Sequence, residues 1–236
     1  MVFKFLKINN FQRIPYKYII TLLISTLLVM LIGLYYALFN SPIDYQQGDM
    51  VRVMYVHVPS AWMSLGIYTF ISICSVYGIV WRTRISYLLA IAAAPIGCAF
   101  SIITLVTGSI WGKPIWGTWW VWDARLTSML ILFLFYLAYI IVVNSGDNIL
   151  RAEKPAEVIS IVGFINVPIV KFSVDLWHSL HQPSSIFRKA GFAIDNSMLK
   201  PLLIMFVSFI LYFILLLIIR TNILIYKIKF KNLNNY

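Results

Sequence analysis

Between Lys17 and Asp44 the chain carries no charged side chain, and that stretch limits what it can fold into. Its apolar part, from Tyr18 to Phe39, reaches about 33 Å as a helix, enough to cross a hydrocarbon layer of roughly 30 Å. A cleaved signal peptide has a shorter apolar region of about 7–15 residues ending in small residues. This run instead closes on Asn40-Ser41-Pro42, so we read an uncleaved first transmembrane helix. Further apolar stretches follow, and the six together fall at approximately 18–39, 58–81, 85–107, 124–143, 157–180 and 201–226. Hydrophobic residues make up 61% of the chain and charged residues 11%, against roughly 25% charged in soluble domains. The expected fold is an all-α membrane protein with six transmembrane helices in a single polytopic domain, 1–236, without internal repeats.

Proline and charge punctuate the runs. Pro59 is placed to open the second helix, as proline suits a first turn. Arg82-Thr83-Arg84 makes a tight turn before the third. Pro168 should kink the fifth helix, and Pro183 marks its limit. Lys4, Lys7, Arg13, Lys17, Arg82, Arg84, Arg151, Lys154, Arg220, Lys227, Lys229 and Lys231 fall on one side of this arrangement. Arg52, Lys113, Arg125, Lys171, Arg188, Lys189 and Lys200 fall on the other, in generally longer loops. The positive-inside rule then places both termini in the cytoplasm. The net charge of +11 is dispersed through short loops, a pattern for anionic lipid and not for nucleic acid. Cys74 and Cys98 lie inside apolar runs, and neither a C-x-x-C-H haem attachment nor a phosphate loop occurs.

Between the third and fourth helices, on the expected outer side, stands a tryptophan-rich loop. Trp111, Trp116, Trp119, Trp120 and Trp122 are five of the chain's eight tryptophans, interrupted by Gly112, Pro114 and Gly117 and closed by Asp123. Indole offers a wide apolar face and one N–H donor, which suits a flat apolar partner with a polar edge. A headgroup belt would place one or two such residues at each helix end. Were residues 116–123 helical, Trp116, Trp119, Trp120 and Asp123 would share a face and Trp122 would point elsewhere. Asp123 is a natural N-cap for the fourth helix.

All three histidines, His57, His178 and His181, fall on that same side. Neutral imidazoles from different helices can ligate haem iron from opposite faces. Zinc fits less well, because no four-ligand set of Cys, His and acids appears at recognisable spacing. Arg125 and Lys113 flank the tryptophans and are placed to pair with propionates, or equally to act as interfacial cations.

The stretch Trp116-Gly117-Thr118-Trp119-Trp120-Val121-Trp122-Asp123 resembles the tryptophan-rich WWD motif of the haem-handling membrane proteins of cytochrome c biogenesis. Asp44-Tyr45-Gln46-Gln47-Gly48, Tyr55-Val56-His57-Val58-Pro59, Ala94-Pro95-Ile96-Gly97, Val106-Thr107-Gly108-Ser109 and Asp123-Ala124-Arg125-Leu126-Thr127-Ser128 extend the resemblance, nearly end to end, to the cytochrome c maturation protein C (haem exporter protein C) family. That resemblance implies non-covalent haem b held on the outer face by two axial histidines, His57 and, in Leu180-His181-Gln182, His181; His178 is an additional histidine. It implies the tryptophan motif as haem platform and docking surface for a membrane-anchored periplasmic haem chaperone. The implied partners also include a small single-helix subunit and ATP-binding-cassette subunits, in a bacterial inner membrane or alternatively a mitochondrial one. The function expected is delivery and not enzymatic catalysis. Alternatives are a membrane b-type haem redox protein, a cytochrome c synthetase or a transmembrane haem exporter.

Overall fold

Long uncharged runs become helices because hydrocarbon offers the backbone no other hydrogen-bonding partner. The computed structural model describes residues 14–146, 152–182 and 194–233. Lys4, Lys7, Arg13, Arg151, Pro183, Arg188 and Lys189 lie outside the described residues. Helix α1 spans Tyr16–Tyr35 and closes in a π-helical turn, Tyr36–Asn40. A 3₁₀ turn, Asp49–Val53, leads directly into α2, Met54–Trp81, and α3 spans Arg84–Trp116. Then come α4, Ala124–Asn144, α5, Glu153–Phe164, α6, Asn166–Leu176, and α7, Asn196–Leu233. Taking α5 and α6 as one interrupted span, six segments among the described residues are long and apolar enough to cross a membrane.

Several boundaries differ from those read in the sequence. Helix α2 begins at Met54 and not near residue 58, so Pro59 sits inside it and His57 is part of its first turn. The preceding 3₁₀ turn supplies carbonyls that let the helix start early. Helix α3 runs to Trp116 instead of about 107, so Trp111 and Trp116 are helical and not in a loop. It stops where Gly117 turns left-handed, φ 74°, and returns its N–H to the Lys113 carbonyl at 3.0 Å. The tryptophan face expected from a helical 116–123 therefore does not form. The fifth run ends at Leu176, not about 180, and is broken at Ile165. Pro168 explains the break, since its ring opposes the carbonyl four residues back, which belongs to Phe164, the last residue of α5. Helix α7 starts at Asn196, ahead of Pro201, because the Asp195 carbonyl accepts from Met198 and Leu199 N–H. It continues well past residue 226; Arg220, inside the expected span, donates its Nε to the Ala92 carbonyl of α3 at 3.1 Å.

Helices α2 and α3 form the centre, joined through Arg82 in a left-handed conformation, φ 52°. Tyr55, Tyr68, Tyr87, Tyr136 and Tyr139 are fully buried there. Two of them are admitted by glycines: Tyr136 presses on Gly97 of α3, and Tyr68 on Gly163 of α5. Their hydroxyls then reach backbone, Tyr136 donating to the Ser64 carbonyl at 2.7 Å and Tyr68 to that of Ile159 at 3.2 Å. Serines tie neighbouring helices, Ser64 with Ser101 and Ser160 with Ser75, both at 2.7 Å. Small residues and interhelical hydrogen bonds are the means available where lipid is as apolar as leucine. Helix α1 stands to one side, mostly exposed, and packs chiefly against α7, where Gly33 leaves room for Met205.

Candidate functional site

His57 is held by one face of α3. Thr104, Thr107, Gly108 and Trp111 recur at i, i+3, i+4 and i+7, the spacing that stacks side chains on one helical stripe. The His57 Nδ1 lies 3.1 Å from the Thr104 carbonyl and 3.1 Å from the Thr107 hydroxyl. A carbonyl only accepts, so Nδ1 carries the proton. The Thr107 hydroxyl gives its own proton to the Ile103 carbonyl at 2.6 Å, leaving it free to accept as well. Gly108 lies flat against the imidazole, and the Trp111 ring meets it edge-on at 5.6 Å. With Nδ1 protonated, the lone pair of the neutral ring is on Nε2, the tautomer set by the hydrogen bond its partner nitrogen makes.

His181 arrives from the segment after α6. Asp123 caps α4 by accepting the Leu126 N–H on Oδ1 at 2.8 Å, as its place in the sequence suggested. Its other oxygen accepts the Ser179 hydroxyl in a short hydrogen bond, and Ser179 Oγ in turn accepts the His181 N–H at 3.1 Å. One carboxylate thus fixes both the tryptophan segment and the His181 segment. The His181 Nδ1 donates to the Gln182 carbonyl at 2.8 Å, so this ring also keeps its lone pair on Nε2. Burial first, and then the Arg125 guanidinium, hold its pKa below the ordinary histidine value, against the opposing pull of the Gln182 carbonyl and Asp123.

The two imidazole centroids are 6.4 Å apart with planes inclined by 35°. A histidine–metal bond of about 2.0–2.1 Å plus half a ring on each side spans roughly the same distance, so the spacing fits two imidazoles sharing one metal atom. Both rings line a cavity of about 310 Å³. His178 does not line it, which separates the two histidines that the sequence left side by side. Among the described residues no cluster of three or more His, Cys, Asp or Glu forms, and the two imidazoles are the histidine donors that reach the cavity.

The tryptophans divide. Trp111, Trp116 and Trp120 line the cavity, whereas Trp119 and Trp122 are 56% and 75% exposed outside it. Gly112 lets the Trp116 indole lie down on α3: a Cβ there would meet the ring at 2.6 Å. The Trp120 Nε1 is buried with no hydrogen-bond partner among the described residues. Arg125 also reaches the cavity while its Nε donates to Ser173 Oγ at 3.1 Å and its Nη2 to the Lys171 carbonyl at 3.3 Å, tying α4 to α6. Lys113 does not face the cavity; its Nζ donates to the Gly117 carbonyl at 2.9 Å and lies over the Trp119 ring at 5.6 Å.

Below this polar level the wall is apolar. Val58, Ala61, Trp62 and Leu65 of α2 line it at helical spacing, so the cavity follows α2 for about 12 Å from His57 toward mid-bundle. Sequence patterns alone point to no individual role for Gln47, Thr104, Thr107, Gly108, Gly112 or Ser179. The Thr104–Thr107–Gly108–Trp111 stripe was the one available signal, and it is visible only once α3 is extended past residue 107.

The family model for "Heme exporter protein C" matches residues 1–235. The heme exporter protein C of Bradyrhizobium diazoefficiens is 49% identical over 192 residues, covering 81% of this chain and 73% of the relative. That of Escherichia coli K12 is 42% identical over 181 residues, covering 77% and 73%. A putative cytochrome c biosynthesis ccmC-like mitochondrial protein of Marchantia polymorpha is 45% identical over 203 residues, covering 84% of each chain. Six spans together with bacterial and mitochondrial relatives fit an inner membrane. The chain belongs to the heme exporter protein C family.

Proposed function

We propose that this protein holds haem b non-covalently at the tryptophan end of the bundle, on the periplasmic face, and presents it to a membrane-anchored haem chaperone during c-type cytochrome biogenesis. The observation that carries this reading is the pair His57 and His181, 6.4 Å apart, each with Nδ1 committed to a backbone carbonyl. Two imidazoles so prepared would offer two neutral Nε2 lone pairs to haem iron. Trp111, Trp116 and Trp120 offer apolar surface around it, and Arg125 offers a cation for a propionate. The exposed Trp119 and Trp122 form the surface that the chaperone meets. The small single-helix subunit and the ATP-binding-cassette pair belong to the surrounding assembly. The chain acts by binding and orienting, which is sufficient when proximity is the barrier.

Lys17, Arg82, Arg84, Lys154 and Lys227 supply the basic residues at the end opposite the tryptophans, and the positive-inside rule makes that end cytoplasmic. The experiment is haem content and absorption spectrum of the purified protein and of His57→Ala and His181→Ala. Each substitution is expected to abolish a two-histidine spectrum. Unchanged haem content and spectrum in both would refute the ligand assignment, and His178→Ala should leave the spectrum intact.

A further inference from the structure

The turn that precedes the 3₁₀ segment is built to hold one side chain still. Asp44 Oδ1 accepts the N–H groups of Gln46 and Gln47, each at 2.9 Å, and Gly48 returns its N–H to the Asp44 carbonyl at 2.9 Å. Gly48 closes the turn at φ 57°, a conformation that side chains rarely adopt. The base of the loop is fastened as well. Arg52 pairs with Asp49 at 3.3 Å and donates to the Leu38 carbonyl at the end of α1 in a short hydrogen bond.

Gln47 projects from this turn to Trp111, whose Nε1 lies 2.7 Å from the glutamine Oε1. Indole nitrogen is a donor only, so the glutamine oxygen must face it and the orientation of the amide is settled. The amide NH₂ is thereby turned away from the indole, on a residue that lines the cavity, and among the described residues it meets no hydrogen-bond partner. The turn thus delivers a neutral donor to the lining of the cavity that the Arg125 side chain also reaches. The wall below is the apolar stripe of α2.

We infer that Gln47 contacts the ligand directly, donating its amide to a carboxylate at the ligand's edge and so fixing which edge of a planar amphipathic acid lies at the polar level. The inference rests on the reading of the cavity as a haem site, and it names a contact for the propionates that Arg125 alone does not complete. The competing explanation is that Gln47 merely satisfies the buried Trp111 N–H.

Gln47→Glu separates the two. It preserves an oxygen for Trp111 and replaces the donor by a second acceptor bearing negative charge. Ferric haem and its dimethyl ester are titrated into wild type and Gln47→Glu in detergent, followed in the Soret band. The variant is expected to lose about tenfold or more in affinity for haem, the scale of a charge-assisted hydrogen bond turned repulsive. For the ester the two proteins should agree within about twofold, because the charge is gone. Equal haem affinity in both proteins overturns the inference, and so does an equal loss for both ligands. If Gln47→Glu does not accumulate, Gln47→Met serves: it must shift the preference of wild type from haem toward the ester, and an unchanged preference overturns the inference. Failure of wild type to bind either ligand refutes the haem site itself. Wild-type binding with unaltered preference in the variants refutes the Gln47 contact alone.

Discussion

Gly108 and His57 are packed so closely that a single methyl group on the glycine would approach the imidazole Cε1 to 3.0 Å. A side chain at position 108 would oblige the ring over α3 to give by a few tenths of an ångström. We expect Gly108→Ala to rotate or lift the ring off the Thr104 carbonyl, with an overpacking cost of about 1–3 kcal/mol. Haem retention should fall and the two-histidine spectrum broaden or shift, while Gly66→Ala, on α2 where a Cβ meets nothing within 4 Å, leaves the His57 geometry unchanged. The comparison is read by absorption and by thermal unfolding in detergent.

The Asp123 carboxylate does two jobs that a substitution can divide. Asp123→Asn with its remaining oxygen on Leu126 keeps the helix cap but cannot accept the Ser179 hydroxyl. Ser179→Ala cuts the same link from the other side. Both should loosen His181, at a loss of about 1.5–3 kcal/mol typical of hydrogen bonds to charged groups, and Ser179→Thr should restore it. The check is the haem dissociation rate, with the length of α4 followed by amide exchange at Leu126. Rapid dissociation together with an intact cap is the expected result.

The pKa of His181 is held down by burial and by Arg125. Between the ordinary histidine value near about 6.5 and its own lower one, the unfolded chain binds a proton that the folded chain does not. Stability from this group therefore rises with pH across that window and falls on acidification. Carbethoxylation of neutral imidazole in the haem-free protein, followed by peptide mass at His181, should persist below the ordinary histidine value of about 6.5. Arg125→Gln removes a repulsive cation, so the His181 midpoint should move upward.

The split among the tryptophans predicts a split among phenotypes. Trp119→Ala with Trp122→Ala alters two exposed rings outside the cavity, so haem affinity should stay within about threefold of wild type while haem-dependent co-purification with the chaperone is lost. Trp116→Ala with Trp120→Ala removes cavity wall, at about 3–5 kcal/mol for each fully buried aromatic and less for these half-buried ones. Here haem affinity itself should fall. The same outcome for both pairs would show that the motif acts as one unit.

Six spans were legible because apolar runs of this length with so few charges have few other fates. The cap at Asp123 and the turn at Arg82 were legible too, since both depend on local chemistry. What escaped was contextual. Nothing local distinguishes Trp111 as helical, because Gly112 and Pro114 look like loop residues until the packing of Trp116 on Gly112 is seen. His178 and His181 are equivalent by composition; Ser179, joined to Asp123, orients one of them toward the cavity. Gln47 was readable as part of a motif, but its partner Trp111 lies 64 positions away, beyond any periodicity argument.

Helix α1 leans mainly on α7, the two ends of the chain meeting at Gly33 and Met205. On a ribosome α1 must therefore wait in the bilayer, without its chief neighbour, until α7 is made. The cavity walls, supplied chiefly by α2, α3, α4 and α6, are assembled during that interval. A nascent protein cut short before α7 would carry most of the cavity's walls with α1 lacking its chief neighbour in the lipid.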